Sequence, residues 1–564
     1  MQRMMRTRSP EVVSSALLFI LVAGGLHPAP AAAEASAPSL VIAEFYPCAL
    51  GGDEYLVLSN RGAEAVNLLG WTVSDGEGSL AFAACTVQPG CTLSVSENAS
   101  SFASAYGAPP DLEVPGWSCA DGVEVSGAFR MADAGDALEL RSPDGSLADA
   151  VAYGSAAPPV AGWSGAPVPA LRPGEVVRRA PLAAEDTDTS SDWTHFREYR
   201  YGYSDRGVVS SSVPAGRLTC FASPDCSLEV VAGVISAAEA SIRLCSYELS
   251  SPTVCSLLSR ACSRGVDVHV LVDSQPVGGM SAAQVACLSA LVDSGADVRV
   301  LGGNMDEGQV RHIGALHAKY IVADRATLVV LSENFVEDGV PTDRLFGNRG
   351  WGVSVDDPVS ASWMSEVFDD DSRIGRSCVW RWSDDSRYLQ GAGIPEPPVS
   401  AHPEGMLGPA VTTKAAEVSL FLSPDSSVGG PFLAPLVSGA EKVLFEQFQA
   451  DLEWTTRWAD GPVTSPVVQS VEDVVGAGGE VRGLFDGLWY NAGPNTDVVD
   501  HLTAALPYGS ASSFRLLAEE SLARFRTALD ASEDAIYLID RAGMRFADMN
   551  ASACMQLGYS RHEL

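Results

Sequence analysis

Residues 315–335 read ALHAKYIVADRATLVVLSENF. Lys319 is the first lysine of a chain that has only three, and it stands two residues from His317 and five from Asp324. In an extended strand alternate side chains share a face, so His317 and Lys319 project to one side while Ala318 and Tyr320 turn to the other. An imidazole and an ammonium then share one face, where they could meet one anionic group. The competing reading is a half-buried strand with scattered polar residues, which gives no account of Ser332 and Asn334 at the far end of the stretch.

Outward from this stretch the pattern is that of a layered α/β domain. SPDCSLEVVAGVISAAEASIRLCSYELSS suits a helix and then a strand, VCSLLSRACSRG a helix, DVHVLVDS a buried strand, VACLSALVDSGA a helix and DVRVLGG a strand. The layout recurs after the linker YLQGAGIPEPPVSAHPEG. Phe221–Asp225 is echoed by Phe421–Asp425, IRLCSY (242–247) by VLFEQF (443–448), GVDVHVLVD (265–273) by GGEVRGLFD (478–486), and VRVL at 298 by FRLL at 514. Four echoes in one order point to an internal duplication.

From about Ser39 to Gly154 the period is instead two. SLVIAEFYP, EYLVLSNRGAEAVNLLGWTVSD, GCTLSVSE and DALELRSPDGSLADAVAYG alternate between turn signals, which predicts an all-β sandwich. Residues 156–216 are rich in Pro, Ala, Ser and Asp and are expected to form a linker. It ends in an aromatic and basic patch, with Trp193, His195, Arg197, Arg200 and Tyr201 either docking on a neighbouring domain or meeting a phosphate-bearing surface.

At 564 residues the chain is too long for one core, and roughly 100–200 residues per domain implies three to five units. With 36 basic against 71 acidic residues its formal charge is −35, so a polyanion would have to find a local basic site. Arginine outnumbers lysine 33 to 3, which makes Lys319 hard to dismiss as a default surface charge. The N-terminal residues carry Arg3, Arg6 and Arg8, an apolar run from Val12 to Leu26 and small residues at Ala31–Ala35. They are expected to be a secretory signal peptide over 1–35, with an uncleaved anchor as the alternative. The twelve cysteines show no paired C-x-x-C zinc pattern. Disulfides are expected among Cys48, Cys85, Cys91 and Cys119 and between Cys220 and Cys226, with buried thiols as the alternative for Cys245 and Cys287.

His317, Lys319 and Asp324 form the pattern H-x-K-x4-D, and Ser332 and Asn334 follow at the distance of a second polar element. Together they resemble the phospholipase D superfamily. The resemblance implies that His317 attacks phosphorus to give a phosphohistidine. Lys319, Ser332 and Asn334 would hold the phosphoryl oxygens. Asp324 belongs to the same catalytic signature, with tying the loop as its expected part. No metal or cofactor is called for. The substrate class is a phosphodiester, phospholipid or nucleic acid. Leu331 stands where the family usually has glycine. Gly350 stands where relatives often carry an acidic residue that orients the histidine, with Glu333 and Glu337 as candidate substitutes.

The phrases EYLVLSNRGAEAVNLLGWTVSD and DALELRSPDGSLADAVAYG resemble the lamin-tail domain, which implies an immunoglobulin-like binding or spacing module over 37–155. RFRTALDASEDAIYLIDRAGMRFADMNASACMQLGYSRHEL resembles the beginning of a PAS domain. The expected fold is therefore multidomain: the sandwich, two α/β phospholipase D-like halves (217–384 and 416–517) joined by a linker at 385–415, and an α+β PAS fragment at 518–564, with a fusion junction near 517–520.

The family needs two facing motifs, and none exists here beyond the first, because the last lysine of the chain is Lys442. Pairing His317 with its symmetry mate in a homodimer is the alternative route to a complete site. A non-catalytic extracellular binding protein, or a sensor acting through the PAS piece, are the competing functions.

Overall fold

The computed structural model describes residues 40–49, 53–106, 108–118, 120–157, 159–179, 186–193, 199–200, 204, 206–303, 312–343, 347–374, 376, 378–396, 410–423, 425, 440–454, 462–487, 491–517, 537–540 and 545–549. The expected signal peptide, Arg311, His195, Arg197, Tyr201 and Cys119 lie outside the described residues. Among the described residues no helix is long and apolar enough to cross a membrane.

Two sheets form the N-terminal sandwich, antiparallel among the described strands except where Leu112–Glu113 runs parallel to Thr92–Ser96. One runs in the order Tyr199–Arg200, Glu175–Arg178, Leu40–Tyr46, Tyr55–Asn60, Thr92–Ser96, Leu112–Glu113. The other runs Leu147–Gly154, Gly135–Arg141, Thr72–Ser74, Gly78–Phe82, Val123–Gly127. The period-two pattern sends Leu56, Leu58, Leu138 and Leu140 into one core between the sheets. Residues 156–216 are not a plain linker. Glu175–Arg178 pairs with the first strand, Phe45 opposite Val177. Trp193 is fully buried in the sandwich core, 5.5 Å from the Phe45 ring and 4.7 Å under the Arg179 guanidinium. The physical reason is the area an indole withdraws from water, which a flexible connector would leave exposed. Further on, Val209–Val213 pairs with Ala416–Leu420, so the first stretch expected as linker ends in a ribbon with the residues that follow the second.

The α/β domain next along the chain contains β1 (Leu218–Ser223), α1 (Ser227–Ala237), β2 (Ser241–Ser246), α2 (Pro252–Ser263), β3 (Asp267–Asp273), α3 (Ala282–Asp293), β4 (Asp297–Leu301), β5 (Tyr320–Ala323), β6 (Thr327–Leu331), β7 (Gly350–Asp356), α4 (Pro358–Asp371), β8 (Val379–Arg381) and β9 (Val411–Thr412). They make one nine-stranded sheet in the order β8-β4-β3-β2-β5-β6-β7-β1-β9. β2, β3 and β4 are parallel, because each connection returns through a helix, while β5, β6 and β7 join antiparallel to the other side of β2.

Ile242 and Leu244 of β2 lie in the core with Val231, Leu258 and Leu288 from α1, α2 and α3. Arg243, one position away, reaches the opposite face and pairs with Asp369 on α4 at 2.8 Å. Helices thus cover both faces, which is why the strand DVHVLVD is buried along most of its length instead of alternating. Ser251 and Ser281 cap α2 and α3, each side chain accepting a backbone N–H of the first turn.

A second region, described by itself, contains β10 (Lys442–Gln447), α5 (Pro466–Gly476), β11 (Glu480–Phe485), α6 (Ala492–Ala504) and β12 (Ser513–Leu516). Its three strands are parallel in the order β10-β11-β12. Val468, Val474, Val481, Phe485, Val498 and Leu502 make its core. The echoed segments at 242, 265 and 298 and their counterparts at 443, 478 and 514 form matching strands in the two regions. Beyond it, Tyr537–Asp540 and Arg545–Met549 form an antiparallel hairpin at the stretches AIYLID and MRFADMN. The helical start LGYSRHEL lies outside the described residues.

Cys85, Cys91, Cys220, Cys245, Cys255, Cys262, Cys287 and Cys378 are thiols in this structure, so the expected disulfides are not formed by them. Cys226 Sγ reaches the Ala222 carbonyl at 3.7 Å instead of Cys220. Cys255 and Cys287 meet thiol to thiol between α2 and α3, in the apolar surroundings anticipated for Cys287.

Candidate active site

The parallel strands β2 and β3 end at Ser246 and Asp273, and the segment carrying His317 and Lys319 enters the sheet beside them. Carboxyl ends of parallel strands are where open α/β sheets gather ligands, since the connections diverge there and leave a crevice. His317 and Lys319 lie in the extended run just before β5, not inside the strand, yet their spacing keeps them together. The Lys319 Nζ is 3.1 Å from both ring nitrogens of His317. The Leu331 N–H donates to the Lys319 carbonyl at 3.1 Å, so the ladder between β5 and β6 continues one step and sets Ser332 at the same end of the hairpin.

Lys319 is only 5% exposed, whereas His317 keeps part of its surface in contact with solvent. Burial and the neighbouring ammonium lower the His317 imidazole to about 4, and the Asp273 carboxylate works against them. The ring is therefore neutral at physiological pH. Burial also lowers Lys319, to about 8, with Glu333, Cys245 and Glu248 holding it up. Among the described residues no carboxylate forms an ion pair with this ammonium. A buried cation whose one close polar neighbour is a neutral imidazole is an incomplete charge arrangement, and an anion completes it.

The loop after β2 walls the site. The Tyr247 ring lies 5.2 Å from that of His317, and its hydroxyl accepts the Val277 N–H at 2.5 Å. Asp273, 1% exposed, accepts from the Gln275 N–H at 2.8 Å and the Leu316 N–H at 3.1 Å, which fixes the residue immediately before His317. The Phe335 carbonyl accepts from the Ser250 and Ser251 N–H groups, and Phe335 bridges to Leu249, so the polar run 332–334 is held along the same loop. Neither Asp273 nor Tyr247 stands out in the sequence. The available signal was an aspartate closing the buried run DVHVLVD at the carboxyl end of a parallel strand.

The polar residues after β6 divide by role. The Ser332 hydroxyl accepts the Trp351 N–H at 3.0 Å and lies 3.4 Å from Glu333 Oε1. Asn334 keeps a buried side-chain oxygen without a hydrogen-bond partner among the described residues. The Glu333 carboxyl occupies the place where a side chain at position 350 would go: a Cβ built on Gly350 would lie 2.7 Å from Glu333 Oε1 and 2.8 Å from Ser332 Oγ. Burial raises Glu333, while Asn348, Lys319 and Ser332 pull it down. Glu337 instead faces Thr342. Of the two candidate substitutes for an acidic residue at 350, only Glu333 reaches the site. The carboxylate that acts on His317 itself is Asp273.

Asp324 is elsewhere. It sits in the turn after β5 with a left-handed backbone (φ 54°) that aspartate tolerates, and its carboxylate accepts the N–H groups of Glu239, Ala240 and Ser241 at 2.9, 2.8 and 2.8 Å. Burial would raise it, but these three backbone bonds outweigh that and hold it below the usual carboxylate range. Ser241 opens β2 and Tyr247 follows its end, so Asp324 lies about 20 Å from the His317 end of that strand. Its three backbone bonds tie that turn to the start of β2, away from His317 and Lys319. His312 is buried as well, its Nδ1 3.1 Å from Cys378 Sγ and its Nε2 3.4 Å from Asp371, and belongs to the packing beside β8.

Comparison with known families agrees with this organisation. The PLD-like domain described under cardiolipin synthase matches residues 231–372, the lamin tail domain residues 33–155 and a PAS domain residues 523–564. The α/β domain is thus a phospholipase D-like domain. The chain joins it to a lamin tail domain on one side and a PAS match on the other.

Among solved structures, Nuc of Salmonella typhimurium, a phospholipase D family member, is 24% identical over 29% of this chain and 94% of its own, with a TM-score of 0.23. NucT of Helicobacter pylori is 15% identical over 29% and 94%, also at 0.23. The phosphatidylserine synthase of Haemophilus influenzae is 12% identical over 34% of this chain and 44% of its own, at 0.22. No curated protein matches the chain.

Proposed function

We propose that the chain is a secreted phosphodiesterase of the phospholipase D type, in which His317 is the nucleophile and Lys319, with Ser332 and Asn334, binds the phosphoryl oxygens. The observation that carries the reading is the buried Lys319 ammonium set 3.1 Å from a neutral imidazole, with no carboxylate paired to it among the described residues. An imidazole kept unprotonated near neutral pH has a lone pair available for attack on phosphorus, and a fixed ammonium beside it stabilises charge on the oxygens as it develops.

The substrate class is a phosphodiester, phospholipid or nucleic acid, and the strong net acidity weighs mildly against tight duplex binding. The lamin tail domain serves as a binding or spacing module. Because no second H-x-K exists, turnover by a single chain is expected to be weak unless the leaving group is protonated from elsewhere. A homodimer bringing two copies of His317 together is one such source.

Purified protein incubated with bis(p-nitrophenyl) phosphate, beside a His317→Ala control, tests the reading. Release of p-nitrophenol by the first and not the second supports it, and equal release sinks it. The absence of a second H-x-K favours one competitor, an extracellular binding protein whose α/β part is scaffold. Trapping of a phosphoryl group on His317 would exclude that competitor.

A further inference from the structure

The first displacement leaves an oxygen that needs a proton, and the chain has no second H-x-K to supply one. Within the first α/β domain, two carboxyl groups act on the Lys319 ammonium, and Glu333 does so more strongly than Glu248. Glu333 lies between Ser332 and Asn334, next to the Ser332 hydroxyl and held by Asn348. Its carboxyl fills space that exists only because residue 350 is glycine, since any Cβ there would run into both Glu333 and Ser332. Gly350 begins β7 and is itself buried, while Ser332 and Glu333 are partly buried. The position is therefore built around this carboxyl.

We propose that Glu333 is the acid that protonates the leaving group, so that one α/β domain carries both halves of the proton chemistry. The inference rests on the phosphodiesterase reading given above. In the first step a ring nitrogen of His317 uses its lone pair to form a bond to phosphorus while the bond from phosphorus to the leaving oxygen breaks. That oxygen takes the Glu333 proton and departs as an alcohol, leaving a carboxylate beside the Lys319 ammonium.

In the second step water attacks phosphorus and the nitrogen–phosphorus bond breaks, returning its electron pair to the imidazole. The Glu333 carboxylate takes one proton from that water. The product is a phosphomonoester, and His317 and Glu333 regain their starting forms. Partial burial favours the protonated carboxyl required at the outset, against the opposing pull of Asn348, Lys319 and Ser332. Glu248, the other carboxyl acting on Lys319, is also raised by burial and lies in the loop whose Leu249 bridges to Phe335, but it acts on Lys319 less strongly than Glu333 does.

Leaving-group dependence tests this. A p-nitrophenolate leaves without a proton, whereas the sugar alkoxide of a dinucleoside monophosphate needs one. Wild type and Glu333→Gln, matched for melting temperature, are assayed on bis(p-nitrophenyl) phosphate and on the dinucleoside monophosphate. The expected result is a rise of about a hundredfold in the preference of the variant for the aryl ester. Gly350→Ala, which displaces the carboxyl without removing it, shifts the preference the same way. Glu248→Gln, which alters the charge around Lys319 only, leaves the preference where it was.

An unchanged preference in Glu333→Gln overturns the assignment. If wild type cleaves the aryl ester, His317→Ala does not, and the preference stays constant, the acid is wrong while the phosphohistidine reading stands. If wild type cleaves neither ester, both fail.

Discussion

The two α/β regions share a layout up to their third parallel strand and diverge beyond it. Each has three parallel strands separated by two helices, β2-α2-β3-α3-β4 in one and β10-α5-β11-α6-β12 in the other. Each buries a valine-rich core. In the first the chain continues past β4 into the β5–β6 hairpin, which sets His317 and Lys319 beside the carboxyl end of β2. In the second, among the described residues, the hairpin after β12 (Tyr537–Asp540 with Arg545–Met549) is a separate two-stranded sheet that does not join β10-β11-β12, and the sequence after Leu516 contains no lysine. The layered scaffold arises from hydrophobic periodicity alone, whereas the chemistry depends on a few polar residues that the periodicity neither requires nor excludes.

The sharpest way to break this comparison is to remove the proposed nucleophile. His317→Ala is expected to lower turnover of bis(p-nitrophenyl) phosphate by on the order of a thousandfold or more, and residual activity near wild type would shift attention to the second region. Lys319→Met is expected to cost about a hundredfold in kcat/KM. Its melting temperature should nevertheless rise by roughly 2–4 °C, because the variant no longer buries a cation. A fall in melting temperature would mean that the ammonium has a structural partner.

The pH profile sharpens the same point. His317 must be unprotonated to attack, and it sits at about 4. Lys319 must stay protonated, and it sits at about 8. For the aryl ester, whose departure needs no proton from Glu333, kcat/KM should therefore be flat between those values and fall roughly tenfold per pH unit on either side. A half-point near 6.5 on the acid side, the ordinary imidazole value, would show the ring to be free of both burial and its cationic neighbour.

Asp324→Ala removes three charge-assisted backbone bonds and is expected to cost about 2 kcal/mol of stability by denaturant titration, with kcat for the folded enzyme within about twofold of wild type. A hundredfold loss of kcat would return Asp324 to the catalytic set. The smallest effect on turnover belongs to Leu502→Ala, which opens a cavity in the core of the second region. It should destabilise that region by about 2–5 kcal/mol and leave hydrolysis of the aryl ester unaltered. A parallel loss of hydrolysis would mean that the second region contributes to the site.

Much of the scaffold was legible in the sequence because apolar spacing dictates which face each element buries. DVHVLVD, VRVL and IRLCSY became β3, β4 and β2, and the alternating N-terminal segments became the sandwich. The stretch 156–216 escapes such a reading because EVVR is too short to stand out and Trp193 is isolated among polar residues, yet pairing with Leu40–Tyr46 and burial against Phe45 draw both into the sandwich. The H-x-K spacing placed His317 and Lys319 side by side, since a two-residue step returns to the same side of an extended chain.

Spacing could not convey which distant residues meet that pair. Asp273 and Tyr247 arrive from the ends of other strands, and Asp324, though only five residues from Lys319, is carried to the far end of the hairpin. Linear order alone determined the strands, the helices and the imidazole–ammonium pair, because these depend on neighbours along the chain. The tertiary structure decided which carboxyls face that pair, because strand order and the absent side chain at Gly350 bring together groups that no local pattern links.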